Sequence, residues 1–245
     1  SFDQYFSKKN EIYRLVVEEK TPEGEIRKFG QTGKVHGPAF KQQVSAFTNM
    51  VRFQEQHYPV NTNNESAVQS GFLVDSTYFN MFDATFIDGN KHKVLHDPQS
   101  IVITKNLAEK YFNTTSAAGK SLNINFEGEF QNFTVTGVIE NPPVNSSMQA
   151  EMLIPIHKSK NNDNHWINFY LNTFFQIPEG TNISNVEKQL ATIFATDAKE
   201  QIAQAAKEWN FKNQLTFKLQ PFLGIHLSKD FQAVNGMKKS GNVLF

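Results

Sequence analysis

The sequence predicts an α+β fold in which two outer strand–helix–strand pieces enclose an inserted mixed block. Three observations predict it. The first 60 or so residues and the last third each show a strand, a helical periodicity and a second strand. Between them, short strands and short helices alternate, punctuated by turn residues. The chain then changes character from Asn161. The two outer pieces are expected to pair into one sheet, with the middle block as an insertion.

The elements follow in order. Ile12, Leu15, Val16 and Val17 mark a first strand, and Thr21-Pro22-Glu23-Gly24-Glu25 is a turn that lets Ile26–Phe29 return as a hairpin. Phe40, Val44, Phe47 and Val51 recur at helical spacing, yet Met50 to Val60 alternates as a strand does. This predicts a short helix near 38–46 and a strand near 49–59. After a polar loop, Phe72-Leu73-Val74 is a short strand. Asp75 or Ser76 then caps a brief helix through Phe82, because either side chain can accept from a free amide. A loop from Asp88 to Ser100 leads to a buried strand at Ile101–Ile103, and Thr104 caps a helix to about Phe112. Ser121–Phe126 and Phe130–Ile139 alternate around Glu127-Gly128-Glu129, a hairpin signal. Asn141-Pro142-Pro143 ends that ladder, and Met152–Ile156 is a further strand.

The last third opens with a strand at Phe174–Ile177. Ser184 and Glu187 have capping-box spacing. Val186, Leu190, Ile193, Ile202 and Trp209 mark the apolar stripe of one or two long helices. Leu215–Leu219 alternates as a closing strand, and the tail from Ser228 is polar.

Composition narrows the function. The 245 residues are 39% hydrophobic and 20% charged, ordinary for a folded domain, and the 23 Phe predict an aromatic core. Lys plus Arg balances Asp plus Glu at 24 each, so nothing attracts nucleic acid or anionic lipid in general. With no Cys, disulfides, thiolate metal sites and cysteine nucleophiles are all excluded. No run approaches the ~18 apolar residues of a membrane span.

Candidate chemistry is sparse. His92 and His96 stand four apart, but Gly89-Asn90 and Asp97-Pro98 bracket them, which argues for a solvated loop over a helical metal pair. Gly30-Gln31-Thr32-Gly33-Lys34 lacks the spacing of a phosphate loop and reads as a turn. No G-x-S-x-G elbow places a nucleophile. The aromatic clusters at Phe79–Phe82, Tyr111-Phe112 and Phe174-Phe175 suit core packing better than a ligand groove. No catalytic, metal or cofactor-binding residue is assigned, no cofactor is expected, and ligand-contact residues are left open.

One ordered set of segments carries more. It runs from Val74-Asp75 and Tyr78-Phe79 with Phe82, through Ile101–Thr104 and Leu107–Phe112. It continues with Gly119-Lys120-Ser121-Leu122 and Val135–Pro143. In this order the set resembles the periplasmic core domain of MacB-like ABC transporter permeases, the group that includes FtsX-like and lipoprotein-export permeases of the type VII ABC superfamily. Leu219–Phe222 and Ile225–Leu227 look like the family's segment before the membrane. Asn113 stands where the best-known members carry glycine after the helix, and Asn tolerates the left-handed stop.

The resemblance implies a porter-like subdomain of residues 1–70 and 158–235, a sabre-like insertion at 71–157, and a tail at 236–245 leading to a membrane helix. It implies a non-catalytic domain at the periplasmic face of the bacterial inner membrane, soluble in itself but part of an integral membrane protein. The partners it implies are a second permease copy and a cytoplasmic ABC ATPase, with a periplasmic adaptor or a peptide or lipoprotein substrate beyond them, and no nucleic acid. ATP-driven motion would pass across the membrane to export or extract a substrate, or to act on a partner. The rival reading is a ligand-sensing ectodomain of a membrane receptor, and a secreted hydrolase ranks third.

Overall fold

The computed structural model describes residues 6–61, 66–144, 146 and 148–227. These form two compact units. One holds residues 6–7 and 53–161, an insertion; the other, split by it, holds 8–52 and 162–227. The chain leaves the split unit within one long strand and returns between Asn161 and Asn162.

The split unit is built on strands β1 (Ile12–Lys20) and β2 (Ile26–Phe29), helix α1 (His36–Gln43) and the start of β3 (Asn49–Asn61). To these it adds β10, α4, α5 and β11, defined below in chain order. Strand β1 lies between β11 on one side and β10 and β2 on the other, antiparallel to all three. Its Leu15–Val17 stretch is buried, with side chains directed to both faces of the sheet. The two outer pieces of the sequence do meet in one sheet here, as expected.

The inserted unit contains the rest of β3 and then β4 (Ser66–Val74), α2 (Tyr78–Met81), β5 (Phe86–Gly89), β6 (Ser100–Thr104) and α3 (Lys105–Phe112). It continues with β7 (Ser121–Phe126), β8 (Glu129–Ile139) and β9 (Met152–Pro155). Its sheet runs β3-β4-β9-β6-β8-β5, with β7 against β8 and β3. Two pairs are parallel, β4–β9 and β6–β8. Every residue of β6 is buried, as a strand covered on both faces requires. Thr104 caps α3 by accepting from the Leu107 amide at 3.4 Å, and Asn113 ends it at φ 54. The β7–β8 loop is the two residues Glu127 and Gly128, both at positive φ, as hairpin twist demands. Glu127 is held there by the Ser159 hydroxyl and the Lys160 amide, which donate to its carboxylate at 2.5 and 3.2 Å.

The chain closes in the split unit with β10 (Asn172–Gln176), α4 (Ile183–Asp197), α5 (Lys199–Trp209) and β11 (Gln214–Pro221). Helix α4 packs on β11 and α1 through Val186, Leu190 and Ile193, at i, i+4, i+7. The core beneath is aromatic. The Phe47 and Phe175 rings stack at 3.8 Å and 9°, and Phe40, Phe194 and Phe217 meet edge-on. On the other face of β1, Arg14 is fully buried and donates to Gln220 Oε1 from Nε (3.1 Å) and Nη2 (2.6 Å). Burial pushes its guanidinium down to about 9.

Several local expectations fail. Helix α2 begins after Thr77, whose side chain makes no cap bond, and the Tyr78 amide donates to the Asp75 carbonyl. The cap of α4 is Asn182, accepting from the Asn185 amide at 3.0 Å, not a Ser184–Glu187 box. Trp209, assigned to the apolar stripe, is 68% exposed at the end of α5. Strand β5 occupies the beginning of what reads as a loop, and β4 starts six residues before Phe72. The polar tail from Ser228 lies outside the described residues. Among the described residues no helix is long and apolar enough to cross a membrane.

Candidate functional site

Two places concentrate polar chemistry, one in each unit. In the split unit, the Gly30–Lys34 turn joins the loop before β10. The Thr32 amide donates to the Leu171 carbonyl (2.8 Å), the Leu171 amide donates back (3.1 Å), and the Thr32 and Thr173 hydroxyls bond at 2.8 Å. His36, fully buried at the head of α1, anchors this junction. The Gly33 amide donates to its Nδ1 (2.8 Å), so the proton sits on Nε2, which donates to the Trp166 carbonyl (3.0 Å). Its ring lies 4.9 Å from Phe217 and 5.1 Å from Trp166. Burial pushes the imidazole down to about 4, against the pull of the Gly33 and Trp166 carbonyls. A side chain on Gly33 would run into the Asn168 carbonyl, so the turn needs glycine for close approach. Gln201 holds the same loop from α5, accepting from the Trp166 amide (2.8 Å) and donating to the Asn164 carbonyl (3.1 Å). Both ring nitrogens of His36 are committed to backbone, so its role is to pin a loop.

In the inserted unit a pocket of about 390 Å³ opens beside β8 and β9. Its floor is Phe6, Tyr78, Ile139, Met148, Ala150 and Leu153, each less than a tenth exposed. Its walls include Asp83–Thr85 and Glu140–Pro143. These two segments lie side by side, joined by the Glu140 amide, which donates to the Thr85 carbonyl at 2.9 Å. Asn141 is clamped to α3: it accepts from the Asn106 amide (3.1 Å) and donates to the Asn106 side-chain oxygen (2.8 Å). Asp83 accepts from the Ser7 amide at 2.6 Å.

The sequence candidates distribute as follows. His92 and His96 are exposed on the turn after β5, and among the described residues no group of three or more His, Asp or Glu is placed to hold a metal. Phe79, Phe82, Phe174 and Phe175 are buried, and Tyr111 and Phe112 half-buried. Tyr78 is buried too, but one side of it faces the pocket. Sequence reasoning missed both His36 and the pocket. The turn Gly-x-x-His at Gly33–His36 is a faint signal for the first. The second depends on residues up to 147 positions apart, Phe6 and Leu153, which no local pattern joins.

The family model of the MacB-like periplasmic core domain matches residues 1–193. The chain belongs to this family. It is the periplasmic domain of a MacB-like ABC transporter permease. Solved structures share the fold. A domain of a protein described as a permease from Porphyromonas gingivalis matches at 21% identity and TM-score 0.74, over 90% of this chain and 93% of that one. The periplasmic region of MacB from Actinobacillus actinomycetemcomitans matches at 13% and 0.52, over 80% and 92%. The extracellular domain of the noncanonic ABC-type transporter YknZ from Gram-positive bacteria matches at 17% and 0.51, over 82% and 98%. No curated protein matches the sequence.

Proposed function

We propose that this MacB-like domain is a non-catalytic mechanical element that carries ATP-driven conformational change across the membrane to a substrate or a periplasmic partner. The match to the periplasmic core family over residues 1–193 is the observation that supports it. The permease would act as two copies with a cytoplasmic ABC ATPase. In this reading the split unit is the porter-like part, and the insertion is the sabre-like part. A unit that leaves and re-enters through two chain crossings can move as a rigid body, a physical route for passing on motion.

The test uses the full transporter reconstituted in liposomes. Phe175→Ala, which loosens the split unit, should leave basal ATP hydrolysis within about twofold and lower transport by about tenfold or more, because it cuts transmission without touching the ATPase. Transport that persists with the loosened domain would overturn the mechanical role.

A further inference from the structure

We propose that the pocket of the inserted unit binds a small amphiphilic amine, with its apolar body on the floor and its ammonium at the mouth. Three features specify that chemistry. First, about 390 Å³ is the size of a small-molecule site, and the floor is apolar. Second, the charged groups of the lining are all acidic. Asp83 and Glu140 belong to two neighbouring segments of the lining, and among the described residues no Lys, Arg or His lines the pocket. The Ser7 amide bonded to Asp83 is neutral, so the wall keeps its negative charge.

Third, the Glu140–Pro143 segment of the lining is rich in acceptors and poor in donors. Pro142 and Pro143 have no N–H. The Glu140 amide is used on Thr85, and the Asn141 side-chain amide on Asn106. A ligand that brings its own donors and a positive charge matches such walls. An anion would meet two carboxylates, and a neutral alcohol would leave both of them without a cation. The inference requires no transport activity and stands apart from the mechanical reading.

The experiment titrates the 245-residue domain with decylamine, decyl sulfate and decanol below their micelle or solubility limits, followed by amide NMR. Decylamine should bind saturably at one site and shift the amides of Thr85, Glu140, Ala150 and Leu153, with decyl sulfate about tenfold weaker or more. The double variant Asp83→Asn, Glu140→Gln keeps an oxygen for the Ser7 amide. It should lower decylamine affinity by about tenfold and leave decanol within about twofold. Ala150→Trp should fill the floor and abolish binding of all three, with an unchanged far-ultraviolet circular dichroism spectrum showing that it folds. Equal affinity for the three probes would overturn the proposal. So would shifts confined to other residues, or decylamine binding that the double variant leaves unchanged.

Discussion

The split unit packs its buried rings against one another, whereas the inserted unit turns part of its apolar floor toward a pocket. Both draw on the same stock of phenylalanine. In the split unit, helices α1 and α4 cover the sheet and the rings meet each other: Phe47 on Phe175, Phe40 and Phe194 on Phe217. His36, buried among these rings, is neutral and bonded at both nitrogens. In the inserted unit the rings pair just as closely, Phe53 on Phe72 at 4.8 Å and Phe6 on Phe82 at 5.4 Å. Yet Phe6, Tyr78 and Leu153 also face a cavity. The difference teaches that aromatic content alone does not close a core. Covering helices close it, and the inserted unit has only the short α2 and α3.

The contrast predicts unequal costs for equivalent truncations. Phe175→Ala removes a fully buried ring from a site with little room to relax, and should cost about 3–5 kcal/mol. Leu153→Ala removes a floor residue next to an existing pocket. The new space joins the old, so the cost should fall at the low end, about 2 kcal/mol. Each unit needs its own probe in urea, since two units need not unfold together. Both tryptophans, Trp166 and Trp209, lie in the split unit, so their emission reports on Phe175→Ala alone. Amide exchange on β9 reports on Leu153→Ala. Equal losses would break the comparison.

Acid should act on the core of the split unit. His36 has its folded value below the ordinary 6.5, at about 4. The stability of its neutral form is fully present above pH 6.5 and is lost as pH falls toward 4, because there the unfolded chain takes up a proton that the folded one refuses. The loss amounts to up to about 3 kcal/mol. Asp163, the one charge found to act on the ring, favours the protonated form and so limits the loss. Other groups titrate in the same range, so the readout is a difference. The stability of the parent chain minus that of His36→Phe should shrink between pH 6.5 and 4, measured by Trp166 emission. Parallel pH profiles would show that His36 is not the buried acid-sensitive group.

Much of the fold was legible because it rests on local rules. The β7–β8 hairpin follows from alternation around Glu127-Gly128, and α3 follows from Thr104 at one end and Asn113 at the other. The ordered set from Val74 to Pro143 pointed to the family, which the match over residues 1–193 shows. The sites were not legible. His36 bonds a carbonyl 130 residues away, and the pocket draws on segments around residues 6, 78, 140 and 153. Trp209 failed for a related reason: helical periodicity counts apolar residues without knowing which of them meet a partner, and in α5 it is Ala205 that is buried.

The smallest predicted effect concerns the start of α4, where sequence and structure assign different caps. Ser184 and Glu187 have the spacing of a reciprocal box, yet Asn182 precedes them, and its side chain takes the Asn185 amide. Glu187 is thereby free to turn away from the helix end. It accepts from the Leu219 amide at 2.9 Å and pairs with Lys218 at 3.1 Å, fastening α4 to β11. Asn182→Ala should therefore cost about 1 kcal/mol, and Ser184→Ala, whose hydroxyl caps nothing, less than about 0.5 kcal/mol. Glu187→Gln keeps an acceptor for the Leu219 amide but gives up a charge, and should cost about 0.5–1 kcal/mol, a part of which salt would screen away. The three shifts are read together by urea unfolding of the split unit at low and high salt. A Ser184→Ala loss equal to that of Asn182→Ala would restore the capping box and remove Glu187 from the helix–sheet contact.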